Sequence, residues 1–192
     1  MSFFKLVKEN RSCRRFDTSV KLDKKILTKL VDLARMSASA GNMQPLKYIL
    51  SSDEKKNKEV FSCLKWAAYL KEWQGPVEPE QPTGYITILG DKSVATNFWC
   101  DHGIAAQTIL LGARDKGLAG CIFAAINHPN LRRVLKISDN YEILLVIAMG
   151  KPIEKVVLED VGKDGDIKYF RDENSVHHVP KRSLDEIIIS SY

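Results

Sequence analysis

The chain has 192 residues, 44% hydrophobic and 28% charged, a globular mix that excludes disordered, collagen-like and low-complexity classes. A chain of this length can bury about 70% of its unfolded surface, so a single domain over 1–192 needs neither disulfides nor a structural metal to fold. The net charge of +5 suits anionic ligands. Acids are interleaved with the bases, however (Asp23 beside Lys24 and Lys25, Glu54 beside Lys55 and Lys56), which argues against a nucleic-acid partner. Cys13, Cys63, Cys100 and Cys121 form no C-x-x-C pair and read as free thiols of a reducing cytoplasm. The first residues hold no apolar core of signal length, and the most apolar stretch, 94–113, contains Asp101, His102 and Gln107. No membrane span is expected.

In chain order, residues 2–10 predict a short helix carrying Phe3, Leu6 and Val7, followed by a loop to Leu22. Asp23 is a good N-cap for a helix with Ile26, Leu30, Leu33 and Ala34 on one stripe. Small, polar residues at 37–42 end it, and 47–51 alternates as a strand with Tyr48 and Leu50 on one face. A second amphipathic helix is predicted over about 57–73, with Val60, Leu64, Ala67 and Ala68 as its stripe. Gly75, Pro76, Pro79 and Pro82 then break the chain over 74–83. Residues 85–89 predict a buried strand and 94–116 the most apolar helix, ended by Gly117 as a left-handed cap. Two strands follow, 118–124 and 142–149, separated by a short helix with Pro129 in its first turn. Ile143 to Ile147 is apolar at every position, which predicts a central strand covered on both faces. The polar tail, 151–192, reads as an arm that wraps a partner. Helices and strands in this mixed order predict a layered α+β domain. Neither G-x-G-x-x-G after a strand nor G-x-x-x-x-G-K-[ST] occurs, so the two common nucleotide-binding loops are absent.

Four clusters carry chemistry. Arg11-Ser12-Cys13-Arg14-Arg15-Phe16 offers three guanidinium groups and a hydroxyl, a set suited to phosphate oxygens or, equally, to a solvated loop after a helix end. Ser39-Ala40-Gly41-Asn42-Met43-Gln44-Pro45 presents donors and acceptors among small residues that let a flat ligand approach; an ordinary turn would look the same. Asp101, within the apolar helix, needs solvent, a partner or a ligand. Lys181-Arg182, ahead of a final apolar segment, could close over a phosphate or start a solvated helix. His102, His128, His177 and His178 make no triad or metal set, and His177-His178 reads as surface.

Taken together and in this order, the clusters resemble the nitroreductase family of FMN-dependent oxidoreductases. The first is similar to the family's R-S-x-R-x-F run and the second to its P-S-x-x-N-x-Q-P-W segment. Gly117-Leu118 and a C-terminal arginine fall where the family has them. The resemblance implies an α+β layered sandwich, a mixed, mainly antiparallel sheet flanked by helices, in an intertwined homodimer with FMN at the subunit interface. It implies that Arg11, Ser12 and Arg182, assisted by Lys181, hold the FMN phosphate, and that Arg14 meets the pyrimidine edge of the ring. Ser39 would line the ring from the other subunit, while Asn42 and Gln44 bond the ring or the ribityl chain. Phe123-Ala124 would pass beneath the ring with the Ala124 amide near N5, and Arg15 would face solvent or an acid. It further implies NADH or NADPH as donor, a nitroaromatic, quinone or related small-molecule acceptor, and ping-pong hydride transfer. A flavin-storage module or a specialised flavin reaction on the same fold are the alternatives. The chain departs from the family pattern at Ala38, Leu46 and Ile122 to Ala125, which alters the pocket wall and no charged cofactor contact.

Overall fold

The computed structural model describes residues 2–192; residue 1 of the expected 1–192 domain lies outside the described residues. A fully antiparallel five-stranded sheet forms the centre. Its long strand β5 (Tyr141–Pro152) pairs along one edge with β3 (Gly84–Asp91), which in turn pairs with β2 (Leu46–Ser51). Along its other edge β5 pairs with β4 (Ala119–Phe123) and then with the two-residue β1 (Phe16–Asp17). As expected, Ile143, Leu145, Val146 and Ile147 are all buried. Two apolar layers cover them, one from α2 (Lys24–Arg35) and α4 (Asp101–Asp115), the other around Val60, Trp66, Phe123 and Leu131. Full burial of each such aliphatic side chain contributes roughly 1.5–3 kcal/mol, which makes β5 the anchor of the domain.

The helices obey their caps. Asp23 accepts from the Ile26 amide at 2.7 Å and starts α2, and Ser2 does the same for α1 (Phe3–Glu9) through Lys5. Asn127 caps α5 (His128–Leu135) with Pro129 in its first turn, and Gly117, at φ +69°, ends α4.

Three expectations need correction. The helix predicted over 57–73 is α3 (Glu54–Phe61), capped by Asp53 and finished twelve residues early. Beyond it the backbone turns to another partner: Leu64 pairs with Ile126, the Lys65 amide donates to the Ala125 carbonyl at 3.0 Å, and Ala67 sits at φ +37°. Burial of Trp66 against Phe61, Trp73 and Phe123 takes the place of helix continuation. Likewise, α4 starts at Asp101 rather than 94. Asp91 and Asn97 accept the amides of Ser93 and Trp99, local side-chain bonds that compete with a helix. Asp101 is therefore the first residue of the helix and not an interior one.

The third correction concerns the tail. Residues 156–181 form a second, three-stranded sheet, in which β8 (His177–Lys181) lies between β6 (Val156–Asp160), parallel to it, and the short β7 (Phe170–Arg171). Its end, with α6 (Leu184–Ile187), and the 162–168 loop are exposed throughout.

Close approach of β4 to β5 depends on Gly120. A Cβ there would sit 2.6 Å from the Ala148 carbonyl oxygen and 2.9 Å from Leu110. Gly120→Ala should destabilise the fold by roughly 1–3 kcal/mol, the usual cost of overpacking, read as a lowered midpoint in urea at unchanged slope.

Candidate active site

The N-terminal cluster is built on the edge of β4. Ser12 bridges to Gly120 in parallel, and the Cys13 amide donates to the Gly120 carbonyl at 3.0 Å. Arg11 thereby lines a cleft of about 640 Å³ together with Lys5, Lys8, Arg114, Glu9 and Glu154. One Arg11 nitrogen donates to the Val7 carbonyl at 3.0 Å, while its buried Nε has no partner among the described residues. Burial pulls the Arg11 pKa below the ordinary guanidinium value. Ser12 is exposed beside it. A charged, incompletely bonded guanidinium facing a cleft is a seat for an anion.

Arg14 is placed differently. Only 8% exposed, it donates from Nη1 to His177 Nε2 at 3.3 Å and lies 4.9 Å over the Tyr169 ring. Its backbone amide donates to Glu154 at 2.7 Å, and Glu154 also accepts from Arg171 at 2.6 Å. Contact of Arg14 with a ligand edge would require its release from His177. Arg15 meets an acid, as expected, forking onto both oxygens of Glu80 at 2.7 and 2.6 Å.

The second cluster lies at the start of α4. Ser39 donates its hydroxyl proton to Asp101 Oδ2 at 2.6 Å and accepts from the Gln44 amide at 2.9 Å; the Ala40 amide donates to Asp101 Oδ1 at 3.0 Å. Gly41, Asn42 and Gln44 take φ of +56°, +52° and +51°, so three of four residues are left-handed. Asn42 and Gln44 are exposed, and the Gln44 side chain donates to the Asn42 carbonyl at 3.2 Å. Ser39, Gln44, Tyr48 and Asp101 line a smaller cavity of about 170 Å³. Burial, then the Asp101 charge, pushes the Tyr48 phenol up to about 12.

At the exit of β4, Phe123 is buried, with the Trp66 ring 4.6 Å away edge-on, and Ala124 is exposed. Lys181 and Arg182 are exposed at the end of β8, four and five residues beyond His177, where Arg182 pairs with Glu186. No hydrogen bond or ion pair joins them to Arg11 or Ser12 among the described residues.

The geometry between clusters is decisive. Arg114, at one end of α4, donates to Glu9 at 2.8 Å beside the Arg11 cleft, whereas Asp101 holds the Ser39 loop at the other end. Thirteen helical steps at 1.5 Å separate them by about 20 Å. The two clusters thus lie at opposite ends of one helix.

Of the four free thiols, Cys100 is exposed and Cys13, Cys63 and Cys121 are buried. Burial drives the Cys13 thiol up to about 12, with Glu154 adding to the shift, and raises Cys121 as well; buried thiols of this kind are inert. No group of three His, Cys, Asp or Glu residues among those described could hold a metal ion, and no described helix is long and apolar enough to cross a membrane. Residues that pattern alone did not single out, Glu154, Tyr169 and Arg171, prove central to the enclosure of Arg14. His177, expected at the surface, is 1% exposed.

Comparison with known proteins agrees with this architecture. YodC of Bacillus subtilis (strain 168), provisionally named an NAD(P)H nitroreductase, is 24% identical over 179 residues, covering 78% of this chain and 89% of YodC. A nitroreductase family protein of Streptococcus pneumoniae TIGR4 has the same fold, with a TM-score of 0.71 at 18% identity over 99% of this chain and 100% of its own. An FMN-dependent nitroreductase of Clostridium difficile R20291 is similar in fold at a TM-score of 0.64, with 23% identity over 80% of this chain and 89% of that one. The model of the nitroreductase family matches residues 7–84 and 81–151, most of the chain, and the chain belongs to that family of oxidoreductases.

Proposed function

We propose that the protein is a homodimeric, FMN-dependent NAD(P)H oxidoreductase that reduces nitroaromatics, quinones or related acceptors. The observation that carries this reading is the pair of clusters about 20 Å apart along α4. A twofold axis that pairs two α4 helices in antiparallel fashion brings the Arg11 cleft of one subunit to the Ser39 loop of the other. The outward face of α4 suits such a pairing, since Gly103, Ile104 and Gln107 are exposed along it.

The residues fit FMN. Arg11, with its unpartnered Nε, would hold the phosphate within a cleft where Lys5, Lys8 and Arg114 outnumber Glu9 and Glu154. Ser12, exposed next to Arg11 but outside the cleft lining, and Arg182 and Lys181 from the tail would assist. Ser39, Asn42 and Gln44 of the partner subunit meet the ring or ribityl chain, and Phe123-Ala124 form the floor. Arg14, enclosed by Tyr169 and His177, acts through its charge. FMN, when bound, supplies hydride acceptance from NAD(P)H and reduction of the acceptor. The protein supplies a positive field, orientation and exclusion of water.

Three measurements on the purified protein test this. It should carry FMN, sediment as a dimer and give parallel steady-state lines when NAD(P)H is varied at several acceptor concentrations, because two flat rings share one cofactor face in turn. A monomer that retains stoichiometric FMN overturns the shared site. Intersecting lines overturn the alternation of substrates. FMN that anaerobic NAD(P)H does not bleach would favour a flavin-storage module.

A further inference from the structure

The cofactor reading leaves Asp101 without a role, yet its geometry is the most constrained at the second cluster. Asp101 is 3% exposed, and each carboxylate oxygen is committed: Oδ2 to the Ser39 hydroxyl at 2.6 Å, Oδ1 to the Ala40 amide at 3.0 Å. The loop it grips has non-glycine residues Asn42 and Gln44 in the left-handed region, a conformation that persists only where the surroundings impose it. Two backbone bonds, Asn42 N to the Ser39 carbonyl at 2.9 Å and Met43 N to the Ala40 carbonyl at 3.1 Å, close the turn onto the two residues that Asp101 holds.

We infer that Asp101 is a positioning residue: it orders the Ser39–Gln44 loop and sets the polarity that Ser39 shows to a ligand. A serine hydroxyl has one proton and two lone pairs. Here the proton goes to Asp101, and one lone pair accepts from Gln44. What remains is a single acceptor. Ser39 can therefore receive a hydrogen bond from a ligand N–H or hydroxyl, such as the flavin imide or a ribityl hydroxyl, and cannot donate one to a flavin carbonyl. This inference rests on the FMN reading for the identity of the ligand; the ordering of the loop does not.

The test compares Asp101→Asn, Ser39→Ala, Ser39→Thr and the double variant Asp101→Asn/Ser39→Ala in the full-length protein. Two readouts are used: amide hydrogen exchange of peptides spanning 39–44, and FMN affinity of the stripped protein by fluorescence. Asparagine offers a donor where one of two acceptors is needed, so exchange at 39–44 should quicken at least tenfold while β3 and β5 peptides stay unchanged. FMN affinity should fall about tenfold. Ser39→Thr, which keeps the hydroxyl, should preserve affinity, and the double variant should bind FMN no more weakly than the worse single variant. Unchanged exchange at 39–44 in Asp101→Asn overturns the positioning role, as does an additive loss in the double variant. Quickened exchange with unaltered FMN affinity supports the ordering of the loop and overturns the placement of FMN against it.

Discussion

Arg11→Ala should weaken FMN binding by about 2–4 kcal/mol, roughly thirty- to several-hundred-fold, the range for loss of a shielded charge-assisted contact to an anion. Arg11 is held half out of water, with one nitrogen on the Val7 carbonyl and Nε unpartnered, so the side chain is already aimed and partly desolvated before any phosphate arrives. Arg182→Ala should cost less, below about 1 kcal/mol, because Arg182 is exposed and already paired with Glu186, a setting in which ion pairs contribute little. Fluorescence titration of the stripped variants checks both, and the Arg11 loss should persist at high salt while the Arg182 loss fades. Equal affinities for wild type and Arg11→Ala would remove the phosphate from this cleft.

Much of the fold was legible because its signals are local. Asp23, Pro129 and Gly117 each sit at the ends of the elements predicted from them, and the unbroken apolar run at 143–147 does lie in a strand covered on both faces. The misplaced boundaries share one cause. Residues 62–73 carry an apolar stripe at helical spacing, yet Trp66 and Trp73 are claimed by an aromatic group that includes Phe123, over fifty residues away. Residues 94–100 are rich in apolar groups, but Asp91 and Asn97 divert the backbone into side-chain-bonded turns. Helical periodicity describes which face a segment could bury; it does not report a competing bond from a distant part of the chain.

The site shows the same division. The Arg11 and Ser39 clusters were recognisable as short motifs, and the structure sets each at a cleft. What the motifs could not convey is who holds them. Ser39 depends on Asp101, 62 residues on, and Arg14 depends on His177, 163 residues on. The adjacent histidines, similar in sequence, have opposite environments. His177 is buried against Arg14, whereas His178 lies between Glu159 and Asp172 and stacks on Phe170.

Glu154 is the residue whose loss should damage the fold most. Its side chain is fully buried, one oxygen accepting from the Arg14 amide and the other from Arg171, with Tyr169 and His177 closing the space around Arg14. Glu154→Gln offers an N–H where an acceptor is required and leaves Arg171 without its counter-charge, a change that typically costs 3–5 kcal/mol when one partner of a buried pair is removed. Thermal unfolding should fall on the order of 10 °C. Acid should act on the same network through His177. Burial, opposed by Glu154 and reinforced by the charges of Arg14, Arg171 and His178, lowers its pKa to about 4. Between the unfolded value near 6.5 and about 4 the unfolded chain takes up a proton that the folded chain refuses, so this contribution to stability is complete above that window and is lost as pH falls through it. His178 works in the opposite sense: Glu159, then Asp172, raises its pKa, so its contribution is complete below the unfolded value and fades as pH rises through the folded one. His177→Gln should flatten the loss between pH 6.5 and 4 in urea titrations, and His178→Gln should leave that loss in place. A wild-type protein whose stability does not fall over this interval, or a His177→Gln variant that falls just as steeply, would show that His177 is not held neutral against Arg14.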